Sequence, residues 1–351
     1  MSPPDFWELL LRGVAAGALG AIAAGIWRGP NGPSRIAGIL FCLTSIGYTL
    51  NSSEGVRMQL GPVFWPSLLL SLGGAGTFWL FVRTLFEDQP ITPATLAPTG
   101  ALIVIGLIAV GAPDLRQPAF IVHHIVQSLI CFHALYLVAR GWRDDLVEAR
   151  RRLRGPFFVI VGIYVLGVTI VEFSRSFGLT PPLGPQTGAA SLAALCLAGA
   201  FVFLQARAML FGAVAASEAK AAAPNAGDRL LLDQLNQIMD QAKAWRREGL
   251  TIGALADELK VPEHRLRRLI NDQLGARNFA AFVNGRRIAA AQRLLADPAK
   301  ARTPVSAIAF DLGFASLGPF NRAFKEETGL TPSEWRRREL GESSPIPENL
   351  G

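Results

Sequence analysis

Before residue 213 the chain has no lysine. That excludes a retinal Schiff base in this half, because the linkage needs a lysine amine within a span. Charge is scarce overall, at 17% of residues against 50% hydrophobic, where a soluble domain carries about 25% charged residues. There are only 3 cysteines, Cys42, Cys131 and Cys196, far apart and each inside an apolar run. This spacing excludes a disulfide framework and a thiolate metal site, and the three read as small packing residues of helices. Histidines number 4, and His123, His124 and His133 share one apolar run. His123 and His133 are about 80° out of register on a helix, and His124 and His133 point to opposite faces. Axial heme ligation needs ligands from across a bundle, so no cofactor is expected. No H-E-x-x-H motif and no acid cluster lies in the apolar half. No basic segment precedes the first apolar run, which therefore reads as a retained span and not a cleavable signal peptide.

What is present is a sharp division near residue 213. Upstream, apolar runs of the length that crosses a bilayer core, about 20 residues, occupy 7–27, 35–51, 63–86, 94–112, 119–139, 156–177 and 187–211. Breaker-rich joints such as Gly29-Pro30-Asn31-Gly32-Pro33 and Pro181-Pro182-Leu183-Gly184-Pro185 separate them. Glycine and alanine in the first run suit close helix packing. The joint after the fifth run carries Arg140, Arg143, Arg150, Arg151, Arg152 and Arg154. By the positive-inside rule this joint is cytoplasmic. Arg28, Arg35 and Arg83 fall on the same side, and Arg57, Arg116 and Arg175 on the other. The consistent solution has seven spans with the N-terminus outside and the C-terminus inside, an inner-membrane multi-pass arrangement with its C-terminal part in the cytoplasm.

Ionisable groups near spans mark functional positions. Glu8 and Arg12 stand four apart, and Glu172 and Arg175 three apart, so each pair closes on one helix face. With His123 and His124 they form a candidate signal-sensing set near the outer leaflet. Interfacial anchoring and snorkelling is the competing reading.

Downstream, charge is dense and all the lysines appear, at Lys220, Lys243, Lys260, Lys300 and Lys325. The alanine-rich stretch to 229 reads as a linker, 230–340 as a second domain and 341–351 as a tail. One helix is expected from about 229 to 245. Thr251 caps a short helix 252–259 and Pro262 opens another, 262–273. A longer helix, 279–296, ends at Asp297-Pro298. Pro304 opens the next, Gly313 breaks it, and Ser316 can cap 316–328. Thr331-Pro332 starts a last helix through Arg338. Two short helices joined by a tight turn form the helix-turn-helix plan, and the plan occurs twice. Leu266-Arg267-Arg268-Leu269-Ile270 matches Phe320-Asn321-Arg322-Ala323-Phe324 in its order of apolar, polar, Arg, apolar, apolar residues. Each follows an Ala-x-x-Leu run, Ala256–Leu259 and Ala309–Leu312. Such units, bridged by one helix, can set their second helices in neighbouring major grooves about 34 Å apart.

The segment from about Leu231 to Arg338 resembles the double helix-turn-helix domain of AraC/XylS-type transcriptional regulators. The resemblance rests most on Ile308-Ala309, Gly313-Phe314, Phe320 to Lys325, Gly329, Thr331-Pro332 and Trp335-Arg336. Asn284 to Arg287, Ala291 and Leu294-Leu295 fit the family's linker helix. The apolar half is not that family's familiar soluble ligand domain. The resemblance implies a promoter-binding regulator whose partners are double-stranded DNA and RNA polymerase. With the spans, the expected fold class is all-α, a polytopic membrane bundle followed by a cytoplasmic double helix-turn-helix domain.

On the exposed leading faces the base-reading candidates are Glu263, His264, Arg265 and Arg267 in the first unit, and Leu317, Gly318 and Asn321 in the second. Arg can be bidentate to guanine, Glu can accept from cytosine N4, and Asn can read adenine. Leu317 offers only a thymine-methyl contact, and Pro319 nothing polar. The first unit is therefore expected to discriminate sequence and the second mainly to position. Arg268, Arg286, Arg287, Arg322 and Lys325 are the phosphate candidates. A solvated helix face is the plain alternative for all these charges, and net charge, +7, decides nothing. Two other functional classes compete, a membrane enzyme or transporter with a helical regulatory tail, and a DNA-binding domain on a passive tether. A homodimer would double the half-sites, and the signal itself (small molecule, lipid or protein) is left open.

Overall fold

The computed structural model describes residues 3–29, 31–179, 184–211 and 226–341, and among them every regular element is helical. The chain divides into two compact units. The first is Met1–Arg143 with Ala149–Glu218, and the second is Asp144–Glu148 with Ala219–Gly351. The linker expected at 213–229 and the tail at 341–351 lie almost wholly outside the described residues.

The first unit runs α1 (Pro3–Trp27), α2 (Pro33–Asn51), α3 (Glu54–Gln59), α4 (Phe64–Leu72), α5 (Gly74–Phe86), α6 (Pro93–Gly111), α7 (Arg116–Arg140), α8 (Glu148–Ser176) and α9 (Pro185–Phe211). Helix starts follow local chemistry. Thr92 accepts from Thr95 N, the reciprocal bond completes a capping box, and Pro93 stands in the first turn of α6. Among the described residues five helices are long and apolar enough to cross a membrane. The run expected at 63–86 is bent by 49° between α4 and α5, where Gly73 and Gly74 remove the side chains that stiffen a helix. Counted as one span it makes six. The seventh expected span, 35–51, is the 19-residue α2. It is less apolar than the others because it packs polar groups inward: Thr44 and Thr77 share a 2.7 Å hydrogen bond. Small residues set the packing distances. A Cβ on Gly47 would sit 2.7 Å from Leu70 Cβ, and one on Gly76 2.7 Å from Thr99 N. Leu129, Ile163 and Phe201 point outward, 63%, 58% and 65% exposed.

The arginine-rich joint is not simply a solvated charge run. Arg150 forks onto the Asp88 carboxylate at 2.8 and 2.6 Å. Arg154, 1% exposed, donates to Val138 O at 2.8 Å and Phe86 O at 3.3 Å. It also stacks 4.5 Å from the Phe86 ring centre. These two guanidiniums tie the start of α8 to the ends of α5 and α7.

The second unit continues α10 (Ala226–Asn236), α11 (Ile252–Glu258), α12 (Glu263–Leu274), α13 (Phe279–Ala296), α14 (Val305–Asp311), α15 (Leu317–Thr328) and α16 (Pro332–Leu340). The helix expected to reach Trp245 stops earlier. Lys243 takes a left-handed backbone, φ 51°, and the following turn buries Ala244 and Trp245. Thr251 caps α11 through Ala254 N at 3.1 Å. Asn278 caps α13 through Ala281 N at 3.0 Å. Ser316 occupies the cap position of α15 without a side-chain bond. Thr331 and Glu334 form a capping box, which holds the Glu334 carboxyl below its usual range. One core joins Leu235, Leu255, Leu266, Ile270, Phe279, Leu295, Ile308, Phe320 and Phe324. Leu146, from the joint between α7 and α8, belongs to the same core.

Candidate nucleic-acid interface

The two repeats fold alike. Leu266 and Ile270 in α12, and Phe320 and Phe324 in α15, are fully or almost fully buried. Their amphipathic spacing presses one face of each second helix onto the core and leaves the opposite face to solvent. The turns differ by one residue and use different left-handed positions, Lys260 (φ 55°) in the first and Gly313 (φ 85°) in the second. The helix between the units, α13, has 18 residues and spans about 27 Å at 1.5 Å per residue.

On α12, Glu263, His264 and Arg268 are exposed, and Arg265 is half-buried. Arg265 reaches Asp228 at 3.3 Å. Arg267 departs from the expected reading face. It is 5% exposed, donates to Glu263 Oε1 through Nε at 2.9 Å and to Asp145 O through Nη1 at 2.8 Å. Its position is covered by the chain at 144–148, so the fork expected to grip guanine is spent on a carboxylate and a carbonyl. Asn321, the matching residue of α15, is exposed, as is Gly318, while Leu317 is half-buried.

The expected phosphate set also splits. Among the described residues Arg268 and Arg322 are exposed with no ion pair, and Lys325 is exposed near Glu334. Arg286 stacks 4.4 Å from the Phe282 ring centre and pairs with Asp240 at 3.2 Å. Arg287 is interior: Nε donates to Trp245 O at 2.6 Å and Nη2 to Arg247 O at 2.8 Å. Burial pulls its guanidinium below the ordinary value. Replacing Arg268 or Arg322 with alanine should weaken binding equally on cognate and random DNA and lower the salt slope of log K by about 1 each. Titration of binding against salt measures both quantities, and a loss confined to cognate DNA would reassign either residue to base reading.

Within the first unit the candidate sensing residues are scattered. Arg12 bonds Glu8 at 2.9 Å and Thr49 O at 2.6 Å, tying α1 to α2. His123 and His124 are buried in α7. The side chains of Glu172 and Arg175 lie outside the described residues. Glu8, Arg12, His123 and His124 do not line a cavity of about 170 Å³ in this unit. Phe41, Tyr48, Phe78, Gln127 and Tyr164 line it, as do all three cysteines, Cys42, Cys131 and Cys196. Spacing along the sequence hid that convergence, since the cysteines come from α2, α7 and α9. Sequence reading also missed the bond from Trp79 Nε1 to His133 Nδ1, 2.8 Å, which joins α5 to α7.

The geometry of residues 252–340 agrees with comparison against known proteins. The helix-turn-helix domain family matches residues 255–338. The transcriptional activator RhrA of Rhizobium meliloti (strain 1021) is 41% identical over 59 residues, 17% of this chain and 18% of that protein. The likeness therefore spans under a fifth of either length. No solved structure matches the chain. Two buried-face repeats, their solvent-facing second helices and these two matches together identify residues 255–338 as a helix-turn-helix domain.

Proposed function

We propose that the chain is a membrane-embedded, sequence-specific transcriptional regulator, with its first unit in the inner membrane and its second on DNA in the cytoplasm. The observation that carries this reading is the coexistence of a matched helix-turn-helix domain with five or six apolar helices whose outward side chains are themselves apolar. A soluble bundle would place such residues inside. Base discrimination falls to Glu263, His264 and Arg265 in the first unit and to Asn321 in the second. Arg268, Arg322 and Lys325 hold the phosphates. The first unit offers more than an anchor: a cavity of about 170 Å³ exceeds the roughly 150 Å³ that accepts benzene in an engineered apolar core. Its apolar walls fit a small hydrophobic signal entering from the bilayer.

Mapping the DNA bound by the full chain in cells, together with fractionation of the protein, tests both halves of the reading. Expected is recovery in the inner-membrane fraction with discrete occupied sites that vanish in the Arg268→Ala/Arg322→Ala double variant. Recovery in the soluble fraction would sink the membrane assignment. Occupancy indifferent to the double variant would sink the DNA-contact assignment.

A further inference from the structure

Residues 144–148 stand in sequence between α7 and α8, yet they fold with the DNA-binding unit. Asp145 pairs with Asn278 in an isolated antiparallel bridge. Leu146 N donates to Arg277 O at 3.0 Å, and Phe279 N donates to Asp144 O at 2.8 Å. Leu146 is 2% exposed in the core that contains Leu266, Ile270 and Phe279. Asp145 accepts from Val147 N at 3.0 Å, which fixes the bend of the segment. Its carbonyl takes Arg267 Nη1 at 2.8 Å. The strap therefore touches α12 through Arg267 and clasps the 277–279 joint that leads from α12 into α13.

The repeat supplies an internal control. Leu266, Arg268 and Ile270 have the same environments as Phe320, Arg322 and Phe324: buried, exposed, buried. The sharpest difference lies at the second position of the motif, with Arg267 buried and Asn321 exposed. Helix geometry alone would leave both in solvent, so the strap accounts for the difference. Its ends are held as well. Gly141–Arg143 joins it directly to α7, and Glu148 is already the first residue of α8. Arg150 and Arg154 lock that start of α8 onto Asp88, Val138 O and Phe86 O. The segment is thus joined to α7 through three turn residues and to α8 with none between.

We propose that residues 144–148 position the first reading helix, and that the first unit controls DNA binding through them. Docked, the strap holds α12 ready to read. When α7 and α8 shift it is drawn off, Leu146 leaves the core, Arg267 loses its carbonyl partner, and the first unit loosens while the second keeps its fold. Asp145 and Leu146 are positioning residues, since neither reaches DNA itself. This rests on the DNA-binding reading given above.

The test uses the full chain in lipid nanodiscs. Leu146→Asp should raise hydrogen exchange across residues 263–279, leave 317–328 protected, and weaken cognate DNA binding about tenfold, while Leu146→Met restores both. Unchanged exchange at 263–279 in Leu146→Asp would overturn the positioning role, even if the protein were found to bind no DNA. If the wild-type chain binds no promoter DNA, the functional reading fails instead. Control is tested with Asp145→Cys/Asn278→Cys on a chain whose Cys42, Cys131 and Cys196 are serine. Facing residues of an antiparallel pair lie about 4.5–5.5 Å apart, within disulfide range. In bilayers of 14-carbon and 18-carbon lipids, which impose different helix tilts, the reduced protein should differ in DNA affinity and the oxidised, locked protein should not. Equal lipid dependence in both forms, or none in the reduced form, would overturn control through the strap.

Discussion

Replacing Gly313 with alanine is expected to cost about 3 kcal/mol or more of stability in the second helix-turn-helix unit. Two effects add. The residue sits at φ 85°, where a Cβ clashes with its own backbone. The new Cβ would also lie 2.7 Å from the Arg246 carbonyl carbon and 3.0 Å from Arg287 Nη2. Neither neighbour can retreat cheaply, because the carbonyl is backbone and the guanidinium is already bound to Trp245 O and Arg247 O. Gly329, at φ 76° but with open space around its Cβ direction, isolates the first effect and should cost about 1 kcal/mol. Denaturant titration of both variants in detergent, followed by exchange across α14 and α15, measures the difference. Equal losses would mean that the chain around Arg246 yields.

The second large effect is expected at Arg287. Removing it as Arg287→Ala strips donors from one buried and one partly buried carbonyl and opens a gap below Phe314, whose ring centre lies 5.1 Å from the guanidinium carbon. Leaving buried acceptors unpaired costs about 1–3 kcal/mol each, so a loss of about 2–4 kcal/mol is expected. Arg287→Lys keeps the charge but cannot hold two divergent carbonyls, and it should recover less than half. The sequence alone placed Arg287 against phosphate, and the two roles separate cleanly. A clamp loses stability while the folded fraction keeps its salt slope. A phosphate contact loses about one unit of that slope at unchanged stability. Unfolding curves and salt titrations on the same preparations decide between them.

The contrast between Arg268 and Arg287 shows what the sequence made legible. Periodicity placed α11 to α16 within a residue or two, because capping residues, Pro262, Pro304 and the glycines act locally. It also placed the exposed faces of α12 and α15 through their apolar anchors. What it could not see was any partner distant along the chain. Arg267 and Arg287 look like surface arginines on amphipathic helices, and only their acceptors, Asp145 O and Trp245 O, turn them inward. The early end of α10 escaped for a related reason: the turn at Lys243 follows from the burial of Trp245, a tertiary demand that local propensity does not encode. In the apolar half, hydropathy found the long helices and passed over the short α3, and composition alone overstated the uniformity of the spans. α2 carries its hydroxyls toward neighbours, and the run at 63–86 bends where two glycines meet.

The bond from Arg267 to Asp145 closes a loop of 122 positions, and that separation sets an order of assembly. During synthesis Asp145 and Leu146 leave the ribosome long before α12 exists, and α8 and α9 are made in between. The first helix-turn-helix unit is thus completed on a piece of chain laid down with the bundle. Long-range closures of this kind are slow to form. A chain cut short before α8 would still carry this piece of the unit, and one that lacked 144–148 would be missing Leu146 from its core.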